Sequence, residues 1–80
     1  MKAKIYVTLK SGVLDPQGKA VEQALHALGF KEVGGVRIGK YLEIALDGGT
    51  RDEAEHRVRE MCEKLLANLI IEDYRFEIGP

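Results

Sequence analysis

KSGVLDPQGKAVEQAL, residues 10 to 25, sets two glycines, a proline and a lysine immediately ahead of an amphipathic run. Read one way it is a phosphate-binding loop feeding a helix, and the chain is a nucleotide enzyme. Read the other way it joins a strand to a capped helix and carries no chemistry. The spacing decides. A Walker-type loop needs G-x-x-x-x-G-K followed by serine or threonine, so that backbone N–H groups cradle phosphate and the hydroxyl holds magnesium. Here five residues separate Gly12 from Gly18, and Lys19 is followed by Ala20. Asp15 is placed to cap the first turn, with Pro16 at the first helical position. Its carboxylate then occupies the helix end that an anion would need. The stretch is a helix start. A second pattern, GGVRIGK at 34 to 40, has Walker spacing, but Tyr41 follows it and no helix begins there.

Working outward, Ala3, Ile5, Val7 and Leu9 alternate with Lys2, Lys4, Tyr6, Thr8 and Lys10, the period of a strand with one apolar face. Beyond the cap, Val21, Ala24, Leu25 and Leu28 recur at helical spacing, and Gly29 ends that helix. KEVGGVRI (31–38) and KYLEIALD (40–47) read as two strands joined in a hairpin at Gly39, with Leu42, Ile44 and Leu46 on the core side. Asp47-Gly48-Gly49 is a turn, and Thr50 with Glu53 forms a capping box. Ala54, Val58, Met61, Cys62, Leu65 and Leu69 give the second helix a continuous apolar stripe, with Asn68 as its stop. Tyr74, Phe76 and Ile78 alternate in a last strand.

The order βαββαβ reads as two copies of one unit and predicts an α+β fold in a single domain, residues 1–80. The expected architecture is ferredoxin-like, a four-stranded, mainly antiparallel sheet with two helices on one face. The opposite sheet face would carry Tyr6, Thr8, Tyr41 and Ala45, too apolar a set to be left in water, which implies a partner.

Composition narrows the function classes. A chain of 80 residues buries only about 60% of the surface its unfolded form exposes, and with one cysteine it has no internal disulfide. Self-association is the cheapest supplement to such a core. The net charge is −1, from 12 basic and 13 acidic residues, without the basic excess of a phosphate-gripping protein. Sheet tyrosines suggest single-stranded RNA readers of the same strand order, but KYLEIALD lacks their basic and aromatic pattern. No nucleic acid partner is expected. No apolar run approaches the roughly 20 residues of a membrane span, and the alternating start is not a signal peptide. Neither a membrane partner nor export is expected, and the lone cysteine points to the cytoplasm.

No catalytic constellation emerges. His26, four residues after Glu22, and His56, among Asp52, Glu53 and Glu60, read as decoration of solvated helix faces, where Glu55–Arg59 and Glu60–Lys64 make i,i+4 pairs. Cys62 lies on the apolar stripe without a histidine to activate it. The expectation is no catalytic residue, no metal site and no cofactor of its own.

The loop that is not a phosphate cradle carries a resemblance instead. S-G-V-L-D-P-Q-G-K-A followed by A-L-x-x-L-G-F, then V-R-I-G-K at 36–40, E-I-A-L-D at 43–47, C-E-K-L-L-A-N at 62–68 and I-E-D-Y at 71–74, resembles the PurS family. That family is the small subunit of phosphoribosylformylglycinamidine synthase. The likeness runs over nearly the whole chain; the family often has proline after the asparagine, where Leu69 stands here. The resemblance implies a subunit of an ATP-dependent amidotransferase complex in purine biosynthesis, forming a homodimer or homotetramer. It implies two partners, a PurQ-type glutaminase that releases ammonia and a PurL-type synthetase that uses ATP and Mg and accepts the ammonia. The expected contact residues are Val13, Leu14, Asp15, Pro16, Gln17 and Gly18 of the loop, whose rigid Asp15-Pro16 turn has little entropy to lose on docking, with Arg37, Lys40, Tyr41 and Tyr74. The competing reading is a stand-alone regulatory domain of similar topology that binds a small metabolite. The sequence speaks against it by lacking convergent polar groups around a pocket.

Overall fold

The apolar face of the first strand governs the fold. β1 (Lys2–Leu9) alternates as its sequence requires, with Ala3, Ile5 and Val7 fully buried. β2 (Gly39–Ala45) and β3 (Glu72–Gly79) pair with its two edges, both antiparallel, in a three-stranded sheet of order β2-β1-β3. The register sets Ile5 opposite Leu42 and Phe76, and Tyr6 opposite Tyr41 and Arg75. β2 and β3 are therefore parallel to each other, and α2 (Arg51–Met61) crosses between them over the buried face. The computed structural model describes residues 1–80.

The expected fourth strand does not form. Residues 31–38 contain no strand; they run back from α1 (Pro16–Ala27) as an unpaired segment, and no hairpin is made at Gly39. The reason lies in where their polar groups go. The Ile38 N–H is given to the Asp15 carboxylate rather than to a neighbouring strand, and the outer edge of β2, where a hairpin would have placed the segment, stays unpaired. The first half thus lacks the closing strand of the second, and the expected repeat is not formed.

Nor do both helices lie on one face of the sheet. α2 packs there, whereas α1 makes no substantial contact with any strand. It stands out as an arm, and the chain extends 49 × 27 × 14 Å with a radius of gyration of 16.0 Å, against about 12 Å for a compact domain of this length. The local signals for α1 were nonetheless right. Asp15 caps it and Pro16 opens it. Gly29, at φ +102°, ends it, its N–H bonded to the His26 carbonyl and that of Phe30 to the Leu25 carbonyl. This is a Schellman closure.

The second helix departs from its predicted stripe after one more turn. Thr50 Oγ1 accepts from the Glu53 N–H at 3.2 Å, and Ala54, Val58 and Cys62 are buried at intervals of four. Residues Cys62–Leu66 then wind as a π-helical turn, with the Ala67 N–H bonded to the Cys62 carbonyl at 2.9 Å. The extra residue rotates the face: Ala67 enters the core, and Leu65 is left 82% exposed.

Nine residues of 80 are buried. Eight of these, Ala3, Ile5, Val7, Ala54, Val58, Cys62, Ala67 and Ile78, make the one core under α2. The ninth is Gly18, in the arm. A core of this size leaves little margin.

Candidate functional site

The loop singled out in the sequence sits where the arm leaves the sheet. Asp15 is half-buried and uses both carboxylate oxygens: Oδ1 accepts from the Gly18 N–H and Oδ2 from the Ile38 N–H, each at 2.9 Å. The first bond caps α1; the second joins its start to the segment returning from its far end. The Ile38 bond, then the Gly18 bond and the nearby Arg37 charge, hold the Asp15 carboxyl below the usual carboxylate range. Gly18 makes the close approach possible. A Cβ there would collide with the Val36 carbonyl oxygen and lie 2.7 Å from Asp15 Oδ2. At the other end of the arm, His26 Nε2 donates to the Val33 carbonyl at 2.7 Å, so this histidine is not a solvated decoration.

Beside this base lies an open cleft of about 460 Å³, lined among others by Lys10, Val13, Leu14, Lys19 and Arg37. Its charges are largely committed: Glu22 to Lys19 at 3.5 Å, Lys10 to Asp73 at 3.9 Å, and Asp15 to the two amides. Leu14 is 78% exposed on its rim. Pro16 and Gln17 are exposed beside it and Val13 is half-buried.

The remaining predicted contacts do not join this site. Tyr41 lies on the open sheet face, its ring 5.1 Å from that of Tyr6, which in turn lies under the Arg75 guanidinium at 3.9 Å. Its hydroxyl donates to Glu43 at 2.8 Å, and this bond, with some burial, pushes its pKa up to about 12. Lys40 points to the helix side, where its ammonium donates to the Leu66 carbonyl at 3.2 Å. Tyr74 is also on that side, stacked 6.4 Å from Phe76, with its hydroxyl donating to Glu63 at 3.0 Å. Burial first, and Glu63 second, raise its pKa. Three separate surfaces thus hold what was predicted as one set.

Other side chains settle as packing or solvated pairs. Burial raises the Cys62 thiol pKa and keeps it out of reach. Lys64 pairs with Glu60 at 3.0 Å as expected. Arg59, however, lies 5.6 Å over the Phe76 ring, and Glu55 pairs with Arg51 instead. No group of three or more metal-ligating side chains comes together, and no helix is long and apolar enough to cross a membrane.

Sequence reasoning missed the uncovered apolar residues. Val21, Leu28 and Phe30 on the arm, and Leu65, Leu69, Ile70 and Ile71 at the end of the sheet, are exposed. The last group includes a tight turn in which Asn68 Oδ1 accepts from the Ile70 N–H, leaving Ile70 85% exposed. Their periodicity marks them as apolar positions; it does not say that the chain itself fails to cover them.

Comparison with known proteins places these features in context. Residues 2–80 match the family model described as PurS, phosphoribosylformylglycinamidine (FGAM) synthase. The phosphoribosylformylglycinamidine synthase subunit PurS of Bacillus subtilis is 57% identical over 77 residues, covering 96% of this chain and 90% of the relative. That of Archaeoglobus fulgidus is 49% identical over 74 residues, covering 92% of each. The crystal structure of the Bacillus subtilis protein superposes with a TM-score of 0.86 at 56% identity, over 99% of this chain and 98% of that one. The three-stranded arrangement is thus shared, not peculiar to this chain. A chain from the structure of PurLQS from Thermotoga maritima superposes with a TM-score of 0.87 at 30% identity, over 95% of this chain and 93% of the other.

Proposed function

This chain belongs to the PurS family, PurS being a subunit of phosphoribosylformylglycinamidine synthase in purine biosynthesis, and from that premise we propose that it is the non-catalytic subunit that bridges a PurL-type synthetase and a PurQ-type glutaminase. The observation that carries the reading is the end-to-end match to a chain of the PurLQS structure from Thermotoga maritima. The residues support it. Asp15 is committed to capping and to the Ile38 amide and Cys62 to packing, while apolar side chains are left facing outward. ATP and Mg belong, in this reading, to the synthetase partner.

The role of a bridge is proximity. Free ammonia escapes by diffusion and is mostly protonated at neutral pH, so holding its producer beside its consumer turns a bimolecular capture into a local transfer. A second copy of the chain belongs to the same proposal. α1 has an apolar face and no sheet of its own to cover it, and a small core gains from association. The cytoplasm is the proposed location.

Reconstitution tests the proposal. Synthetase and glutaminase subunits from the same organism are assayed with and without this chain, following glutamine-dependent and ammonia-dependent amidine formation side by side. Glutamine-dependent turnover should require the chain and ammonia-dependent turnover should not. If both are unchanged and no complex forms on a sizing column, the bridging role is wrong.

A further inference from the structure

Three cations reach the cleft at the base of the arm from separate parts of the chain: Lys10 from just past β1, Lys19 from the first turn of α1 and Arg37 from the return segment. Two carboxylates share the cleft with them, and neither answers Arg37 in full. Asp15 feels the Arg37 charge, but both its oxygens already accept from backbone amides, each at 2.9 Å. Glu22 is held by Lys19 at 3.5 Å, while Lys10 reaches out to Asp73 at 3.9 Å. Those two contacts are long and exposed, the kind that water and salt loosen. Arg37 is exposed and makes no ion pair. The loop beside it has amides to spare as well: of residues 11–14 only Val13 donates its N–H, to the Lys10 carbonyl at 3.1 Å.

The occupant follows from this chemistry. A planar guanidinium takes a carboxylate through two parallel N–H bonds. Asp15 closes the helix end itself, so an incoming carboxylate belongs on the Arg37 side. A small-molecule site encloses most of its ligand; this cleft is open, and its occupant must bring a surface of its own. Leu14, 78% exposed on the rim, provides for an apolar side chain next to that carboxylate. Asp15, Glu22 and Asp73 in or beside the cleft interrupt any basic stripe that nucleic acid would need. We propose that the cleft receives an acidic segment of a partner subunit, with a carboxylate on Arg37 and an adjoining apolar side chain against Leu14. This rests on the bridging role proposed above and gives one of its contacts a place and a chemistry.

Three substitutions at exposed positions separate the components. Arg37→Ala removes the charge, Arg37→Lys keeps the charge without the planar fork, and Leu14→Ala removes the apolar contact. The full chain is mixed with the synthetase and glutaminase subunits, each alone and both together, and the dissociation constant is measured by sedimentation at low and at high salt. Thermal unfolding of each free variant checks its fold. Arg37→Ala should raise the dissociation constant about tenfold at low salt and flatten its salt dependence. Arg37→Lys should fall between, and Leu14→Ala should weaken assembly alike at both salt concentrations. An Arg37→Ala chain that assembles at low salt as tightly as the wild type would overturn the cleft contact and leave the bridging role standing. A wild-type chain that forms no complex would overturn both. Inorganic phosphate supplies the last arm: if calorimetry shows it bound by the free chain and lost in Arg37→Ala, with assembly unweakened, the cleft takes a small anion and the proposal is overturned.

Discussion

Replacing Gly18 by alanine sets two effects of opposite sign against each other, and the structure decides between them. Alanine in place of glycine in an exposed helix usually stabilises by about 1 kcal/mol. Gly18, in the first turn of α1, is buried rather than exposed. Its added Cβ would collide with the Val36 carbonyl oxygen and stand 2.7 Å from Asp15 Oδ2 and 2.9 Å from Asp15 Cγ. Ordinary contacts of carbon are about 3.5 Å or more, so helix and return segment must part by roughly 1 Å. The obstacle is partly backbone, which cannot rotate aside. Overpacking of this kind costs about 1–3 kcal/mol. Setting the middle of that range against the propensity gain leaves Gly18→Ala destabilising by about 1 kcal/mol, a fall in Tm of about 4–8 °C for a domain of this size. Thermal unfolding at fixed protein concentration, which holds any association constant, measures it. Faster exchange of the Ile38 amide should accompany the loss. A variant with a raised Tm and an unchanged Ile38 amide would refute the reasoning, because Gly18 would then behave as an ordinary helix glycine.

Two further outcomes are expected. Val58 is fully buried on the inner face of α2, so Val58→Ala should cost about 2–3 kcal/mol in urea unfolding, whereas Leu65→Ala, at a site 82% exposed, should cost the monomer less than about 0.5 kcal/mol; equal losses would mean that the π-helical turn does not rotate the face. Acid should weaken the fold through Asp15, Glu43 and Glu60, whose carboxyl pKa values are lowered by backbone amides, by the Tyr41 hydroxyl and by Lys64 respectively. Groups lowered on folding contribute stability above the ordinary carboxylate pKa of about 4 and lose it as pH falls through their folded values, so the urea midpoint should drop between pH 5 and 2, and drop less in Asp15→Asn.

The elements whose evidence is local were legible from the residues. Alternation placed β1 and β3, the Asp15-Pro16 start and Gly29 stop bounded α1, and Thr50 opened α2. KEVGGVRI misled because β-branched residues spaced by glycines look like a strand wherever they occur; here the Ile38 N–H goes to Asp15 and the open outer edge of β2 is not used. The second helix misled for a related reason. Ala54, Val58 and Cys62 follow the expected period, but one π-turn bond from Ala67 to Cys62 moves every later residue around the axis. Of the predicted contact residues, the 13–18 loop and Arg37 meet at one place, while Lys40, Tyr41 and Tyr74 scatter over both sheet faces, because strand neighbours point in opposite directions.

The sequence alone determined the family, the caps, the apolar faces and the absence of a phosphate loop, since each rests on residues close together in the chain. Tertiary structure decided that Asp15 has a second partner 23 residues away, that the sheet stops at three strands, and that α1 stands apart from it with its apolar side uncovered. Those outcomes depend on which hydrogen-bond partners and which buried surface distant segments offer one another, which no local pattern records.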